Sequence, residues 1–210
     1  MFFYLILVYL LSSIPISFLL VKRTSEVDLR KVGSKKVSVS NVVKNAGVKS
    51  GLICLVFNLM KGFLAVYLTQ HFGFNWQVQI AAGILVVAAQ LWPLFFRFWG
   101  GTGFVVVIGA LLFLAPKIAL GAAVVRILVE VIINYYDLLP EGESMGITFA
   151  LLLVSIWGFW SSLGLGIFGI ATFGLVHLAR ILGIPGSLKE ISSKKTLLLR
   201  LLYNQGVKRG

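Results

Sequence analysis

Residues 28–62 read DLRKVGSKKVSVSNVVKNAGVKSGLICLVFNLMKG and decide the fold. This stretch begins as a basic, polar segment and ends inside an apolar one, in a chain that is 59% apolar and only 12% charged. Globular proteins average about 45–50% apolar and about 25% charged residues. With a mean hydropathy of +0.97, the sequence predicts an all-α integral membrane protein and argues against a soluble domain.

About seven transmembrane helices are predicted within a single polytopic membrane domain at residues 1–210. Crossing about 30 Å of hydrocarbon takes about 20 residues, so the shorter spans would have to tilt or cross only partly. The first span is interpreted as an uncleaved helix bent at Pro15, because no basic residue precedes it and no clear cleavage site follows. The predicted spans are residues 2–21, 51–70, 78–96, 104–115, 118–136, 145–160 and 163–182.

The basic residues set the predicted orientation. Of 19 Lys and Arg residues, eight fall in a predicted loop at residues 22–50, and seven lie from Arg180 to the end of the chain. A net charge of +12 that is gathered between apolar spans indicates cytoplasmic segments and not a nucleic-acid surface. We therefore expect an N-terminus outside, the 22–50 loop inside, and a basic, partly amphipathic cytoplasmic tail at residues 183–210.

The sequence indicates neither a metal site nor a cofactor site. Cys54 is the single cysteine, which excludes an internal disulfide. His71 and His177 have no cysteine partners at metal-ligand spacing. We expect membrane lipids as the chain's surroundings and no nucleic acid as a partner.

Polar side chains inside predicted spans are costly there and are candidates for function. Asn58 and Lys61 are three residues apart and share one helix face. Arg126 and Glu130 begin a stripe with a period of four, which is either a self-neutralised pair or the lining of a ligand cavity. Gln90 and His177 are single polar groups near span ends, and such groups more often make structural hydrogen bonds than take part in catalysis. The full set is Asn58, Lys61, Gln90, Arg126, Glu130, Asn134 and His177.

Two segments have the composition of phosphate-binding loops. The basic segment that leads into the second span offers backbone N–H groups, hydroxyls, an amide and lysines, and a glycine-rich turn joins the third and fourth spans. A loop lying against lipid headgroups explains the first segment equally well. The second segment has the composition of an ordinary interhelical turn, which is the more common occurrence. The candidates are Arg30, Gly33, Ser34, Lys35, Lys36, Ser40, Asn41, Gly100, Gly101, Thr102 and Gly103.

Taken in this order, the two loops resemble those of the bacterial acyl-phosphate:glycerol-3-phosphate acyltransferases, the PlsY family. The first family motif resembles D-x-R-x-x-G-S-G-N-x-G-A-T-N followed by D-x-x-K-G, and the second resembles G-H-x-W-P-x-F…F-x-G-G-K-G. The matching residues are Asp28, Arg30, Gly33, Ser34, Asn41, Gly47, Gly51, Lys61, Gly62, Trp92, Pro93, Phe95, Phe98, Gly100, Gly101 and Gly103. The resemblance implies seven spans and acyl transfer from acyl phosphate to glycerol 3-phosphate. It makes Ser34, Asn41, Lys44 and Lys61 the catalytic candidates.

The departures from these motifs fall on polar positions. Lys35 and Lys36 stand where the motif has Gly and Asn, and Asn58, Gln90 and Thr102 stand for Asp, His and Lys. Loss of one polarising donor typically costs about a hundred- to a thousand-fold in rate. The departures therefore predict a protein that has lost catalysis and acts as a non-catalytic subunit of another membrane protein, a regulator, or a lipid- or anion-binding scaffold.

Two alternatives to the loss of catalysis stay open. The first is an active acyltransferase of phospholipid synthesis, which uses acyl phosphate and glycerol 3-phosphate. The second is a small transporter, which only the polar stripe of the fifth span supports.

Overall fold

The computed structural model describes residues 1–25, 27–136 and 142–182, and every regular element within them is helical. This confirms the all-α membrane class. The basic tail predicted at residues 183–210 and most of the acidic loop near Pro140 lie outside the described residues. The helices are α1 (Phe2–Ser12), α2 (Ile16–Ser25), α3 (Val39–His71), α4 (Trp76–Leu91), α5 (Phe104–Leu114), α6 (Pro116–Tyr135), α7 (Gly142–Ser161) and α8 (Leu163–Leu182), with a 3₁₀ turn at Leu94–Phe96.

Six helical stretches of the described chain are long and apolar enough to cross a membrane. The fourth predicted span is helical as expected, but α5 has only 11 residues, which rise about 16 Å against about 30 Å of hydrocarbon. The orientation with the N-terminus outside stays a prediction. The six stretches are Phe2–Arg23, Val39–His71, Trp76–Phe96, Pro116–Tyr135, Glu143–Ser161 and Leu163–Leu182.

The first span is broken at the predicted place. Helix α1 ends at Ser12 and α2 begins at Ile16, because Pro15 has no N–H to donate and its ring clashes with the preceding turn of a helix. The N–H groups of Ser13 and Ile14 still donate to carbonyls of the last turn of α1, but the Ile16 N–H donates to the Ile14 carbonyl and not to that of Ser12.

The basic segment at residues 22–50 is helical over much of its length, where the sequence predicted a loop. Helix α3 begins at Val39, and the Ser38 hydroxyl caps it by accepting a hydrogen bond from the backbone N–H of Asn41 at 3.3 Å. At Gly47 the backbone takes φ 85° and ψ 164°, a conformation that glycine adopts readily and other residues rarely do. The helix kinks there. A short part that follows the basic loop precedes the kink, and a long apolar part follows it.

The described helices form two compact units, residues 1–114 and residues from 115 onward. In the first unit, α3 packs closely on α5, and a Cβ on Gly62 would meet backbone atoms of Val106 and Ala110. In the second unit, α7 packs on both α6 and α8, and a Cβ on Gly158 would meet the backbone of Leu165. Glycine at such contacts lets membrane helices approach backbone to backbone.

Candidate functional site

Asn41 is the centre of the first motif loop, and its side chain is buried within that loop. Its Oδ1 accepts hydrogen bonds from the Ser34 backbone N–H at 3.3 Å and from Nδ2 of Asn45 at 2.9 Å. Its Nδ2 donates to three loop carbonyls, those of Leu29, Val32 and Lys36, at 3.4, 3.2 and 2.9 Å. Asn41 therefore shapes the loop and is not exposed to a ligand.

Gly33 lies against the Asn41 amide, at the exposed end of the same loop. It has a positive φ of 56°, and a Cβ there would overlap the Asn41 amide oxygen. This position therefore needs glycine for both conformation and space. Gly33, Ser34 and Lys35 are exposed together.

Arg30 pairs with protein groups, although its type and place suggested a phosphate ligand. Its guanidinium donates to both carboxylate oxygens of Asp28, at 2.9 and 2.8 Å. It also lies 5.1 Å from the ring centroid of Phe18 and 5.3 Å from that of Phe96. Mainly through these side-chain hydrogen bonds, Arg30 lowers the pKa of Asp28 to about 2. The ion pair and the two rings attach the loop to α2 and to the 3₁₀ turn.

Replacing Arg30 with lysine is expected to lower the free energy of unfolding by about 1–2 kcal/mol, because an ammonium cannot make the planar two-point contact or stack on two rings. Thermal unfolding in detergent measures the loss, and Arg23→Lys, at an exposed position, is the matched control. The pKa of Asp28 is depressed in the fold, so its stabilising contribution is present above about pH 4 and is lost as the pH falls towards about 2. Equal midpoints for the Arg30 and Arg23 variants would contradict the role of Arg30.

The two motif loops are in direct contact. The Trp99 indole N–H donates to the Lys35 carbonyl at 2.6 Å, and the backbone N–H of Val37 donates to the Gly100 carbonyl at 3.2 Å. A Cβ on Gly101 would collide with the Val37 carbonyl oxygen. The glycines of the second motif thus allow one backbone to lie against another.

Trp99 and Val37 were not found by sequence reasoning. By its position near a span end, Trp99 fits an aromatic belt equally well. Nothing in the local sequence indicates that its indole N–H donates to the other motif loop.

Lys61 lies beside this contact, in a small cleft. Its ammonium donates to the carbonyls of Ser12 and Ile14, at 3.0 and 3.2 Å, and to Oε1 of Gln90 at 3.0 Å. On the same helix, Nδ2 of Asn58 donates to the Ser17 hydroxyl at 3.0 Å. The cleft is lined by Ser12, Ser13, Ile14, Pro15, Ile16, Ser17, Val37, Lys61, Gln90, Pro93, Trp99, Gly100 and Gly101.

The remaining candidates differ in exposure. Lys44 is exposed on the first turns of α3, and Lys36 is buried. The Ser40 hydroxyl pairs with that of Ser38 at 3.2 Å. Thr102 is half-buried. Ser34, Lys35 and Lys44 are thus the polar candidates of this unit that face outward from the loop and its helix.

A known protein family matches most of the chain. The family model described as glycerol-3-phosphate acyltransferase matches residues 2–185. The chain belongs to this family.

Relatives and solved structures agree with this assignment. The chain is 40% identical over 112 residues to glycerol-3-phosphate acyltransferase 4 of Dehalococcoides mccartyi, covering 53% of this chain and 48% of the relative. It is 31% identical over 165 residues to glycerol-3-phosphate acyltransferase of Thermoanaerobacter pseudethanolicus, covering 79% and 80%. The chain therefore spans about half the length of the first curated relatives it matches and more of others.

The fold is also similar to that of a crystal structure of PlsY, an integral membrane glycerol 3-phosphate acyltransferase, in its glycerol 3-phosphate form. The TM-score is 0.71 at 25% identity, covering 91% of this chain and 98% of that one. The resemblance found in the motifs is confirmed, and the chain is a multi-pass protein of the bacterial inner membrane.

In this PlsY-family chain, the polar residues of the second unit form internal pairs. Arg126 and Glu130 form an ion pair of 3.0 Å, with Glu143 at 3.8 Å from the same guanidinium. This is the self-neutralised pair that the sequence left open as one interpretation of the stripe. Asn134, the third residue of that stripe, is exposed.

His177 and Arg180 share a partner in α7. His177 lies 2.8 Å from the Phe173 carbonyl through Nδ1 and 3.4 Å from Thr148 through Nε2. Arg180 is buried and donates to the Thr148 hydroxyl at 2.8 Å and to the Ser144 carbonyl at 2.9 Å. Sequence reasoning counted Arg180 with the basic tail, since a cation near a span end is most simply explained by topology.

Proposed function

We propose that the chain is an active acyltransferase, which transfers an acyl group from an acyl phosphate to a hydroxyl of glycerol 3-phosphate. The observation that carries this proposal is the contact between the two motif loops, through Trp99 and Lys35 and through Val37 and Gly100. The names of the relatives supply the reaction, and the loops supply a basic, polar edge that suits two phosphate-bearing substrates. The prediction of lost catalysis finds no support among the relatives, which are named as acyltransferases.

The reaction requires positioning and charge more than covalent chemistry by the protein. The hydroxyl oxygen of glycerol 3-phosphate forms a bond to the acyl carbon, the bond from that carbon to the phosphate oxygen breaks, and phosphate leaves with the hydroxyl proton. Holding both substrates in register supplies much of the rate, and nearby cations stabilise the developing negative charge. Ser34, Lys35 and Lys44 are the exposed residues that we assign to this work.

The motif departures are compatible with this chemistry in the folded protein. Thr102 lacks the charge of the family's lysine, but Lys35 carries a cation on the loop that Trp99 contacts. Lys35 has a positive φ of 55°, which suits the glycine of the motif and costs a lysine about 1–2 kcal/mol. Gln90 accepts a hydrogen bond from Lys61, a role that does not require a group able to take up a proton.

Purified protein in lipid, given acyl phosphate and glycerol 3-phosphate, is expected to release lysophosphatidate and inorganic phosphate in equal amounts. Lys35→Ser is expected to lower kcat/KM by about a hundred-fold, because it removes an exposed cation from the residue whose carbonyl Trp99 contacts. Lys49→Ser, which removes an exposed lysine beyond the Gly47 kink, is the matched control and should retain the rate within about threefold. Equal losses in the two variants would contradict the role of Lys35.

The second candidate function is a non-catalytic subunit, which is favoured by Asn58 and Thr102 standing at the family's Asp and Lys positions. The absence of turnover by the unmodified protein, together with a membrane protein that co-purifies at fixed stoichiometry, would support that candidate and contradict the enzyme.

A further inference from the structure

The ammonium of Lys61 closes the broken end of α1. After the break at Pro15, the Ile16 N–H donates to the Ile14 carbonyl at 3.0 Å and not to that of Ser12. Lys61 donates to the Ser12 carbonyl and also to that of Ile14. A cation at the carbonyl end of a helix is also favoured by the helix dipole. The third hydrogen bond of the ammonium goes to Gln90, so its three N–H donors are all engaged with neutral oxygens of the protein.

Gln90 continues this connection to the glycine loop. Its backbone carbonyl accepts a hydrogen bond from the N–H of Gly101 at 3.0 Å. A Cβ on Gly101 would also lie 2.9 Å from Nε2 of Gln90, so the loop backbone lies directly on the amide. The two preceding residues of the second motif loop, Gly100 and Trp99, contact Val37 and Lys35. One continuous set of contacts thus runs from the break in α1, through Lys61 and Gln90, to the first motif loop.

We propose that Lys61 and Gln90 are positioning residues. Together they form a clamp that holds the glycine loop against the Lys35 loop, and they do not bind substrate themselves. This inference rests on the proposed function, which gives the loop contact its purpose. The contacts themselves do not depend on that function. Lys61 was a catalytic candidate from its motif alone. Because all three N–H donors of its ammonium bind protein oxygens, Lys61 supports the site and does not contact the substrate.

The side chain at position 90 must accept a hydrogen bond from an ammonium. Glutamine presents an acceptor at every pH, whereas histidine accepts only when it is unprotonated and titrates near pH 6.5 in water. Within the described residues that line the cleft, α1, α2, the α1–α2 turn and the glycine loop contribute no ionisable side chain, and α3 contributes Lys61. A histidine placed at position 90 therefore faces Lys61 as its charged neighbour and should make the clamp sensitive to acid.

The test compares Gln90→Leu, Gln90→Glu and Gln90→His with the control Gln79→His, which places a histidine on the same helix at a side chain bonded to the Phe74 carbonyl. Gln90→Leu is expected to lower kcat by at least about tenfold with KM changed by less than about threefold, since substrate contacts stay while the loop shifts. Gln90→Glu, which keeps an acceptor, is expected to stay within about threefold of the unmodified kcat.

The decisive readout is the pH profile. Between about pH 8 and about pH 4, Gln90→His should lose activity and thermal midpoint relative to Gln79→His, because the protonated ring no longer accepts from Lys61. The loss should begin below about pH 6.5, since burial and the Lys61 cation both disfavour the protonated ring. Parallel profiles for these two variants, or full kcat in Gln90→Leu, would overturn the clamp. If the unmodified protein shows no turnover, the enzyme proposal fails, and the thermal midpoints of the two histidine variants still decide the clamp.

Discussion

Replacing Asn41 with aspartate is expected to abolish acyl transfer and to lower the free energy of unfolding by about 3 kcal/mol or more. The Asn41 amide nitrogen donates to three loop carbonyls. A carboxylate of nearly the same shape has no N–H to offer. The Leu29 and Lys36 carbonyls then lose this donor, the Val32 carbonyl keeps the Lys35 N–H at 3.1 Å, and a buried charge faces their oxygens. The loop that carries Gly33, Ser34 and Lys35 would lose the conformation in which Trp99 meets it.

Two measurements check this result, namely the thermal unfolding midpoint in detergent and turnover with both substrates. Asn45→Ala is the matched control, because Asn45 is half-buried and only donates to the backbone carbonyl and amide oxygen of Asn41. Its expected cost is about 1 kcal/mol. An Asn41→Asp protein with the stability and turnover of the unmodified chain would show that the loop does not depend on this amide.

Replacing Gly62 with valine is expected to disrupt the packing of α3 on α5, with a loss of about 3 kcal/mol or more and little folded protein in the membrane. A Cβ on Gly62 would overlap the Val106 carbonyl oxygen and lie 2.7 Å from the Ala110 nitrogen. Gly109 on α5 approaches the Leu59 carbonyl in the same way, so the close contact is formed from both helices. Backbone atoms cannot turn aside as a flexible side chain would.

The control for Gly62 is Gly174→Ala in α8, where a Cβ would meet no atom within 4 Å. Alanine also favours helix over glycine, so this variant should keep or slightly raise the thermal midpoint. Folded yield from solubilised membranes and the midpoint measure both changes. A Gly62→Val protein recovered at the yield of the Gly174→Ala protein would contradict the packing argument.

The sequence by itself determined the features that depend on local chemistry. Hydropathy over about 20 residues identified the membrane class and the limits of α8 at Leu163 and Leu182, because partition into hydrocarbon is a sum over neighbouring residues. Pro15 located the break in the first span, since a missing N–H acts within one helical turn. The spacing of Asp28, Arg30, Gly33 and Ser34, followed by the glycine loop, was enough to identify the family.

Only the tertiary structure decided what each polar residue does. Arg30 and Asn41 are residue types that often bind phosphate. In the structure, however, the Arg30 guanidinium donates to Asp28 and the Asn41 amide donates to loop carbonyls. Gln90 departs from the motif by type and still accepts from Lys61, which is 29 residues away in sequence. A side chain has few hydrogen-bonding positions, and whether a distant carbonyl or a substrate fills them depends on which segments the fold brings together.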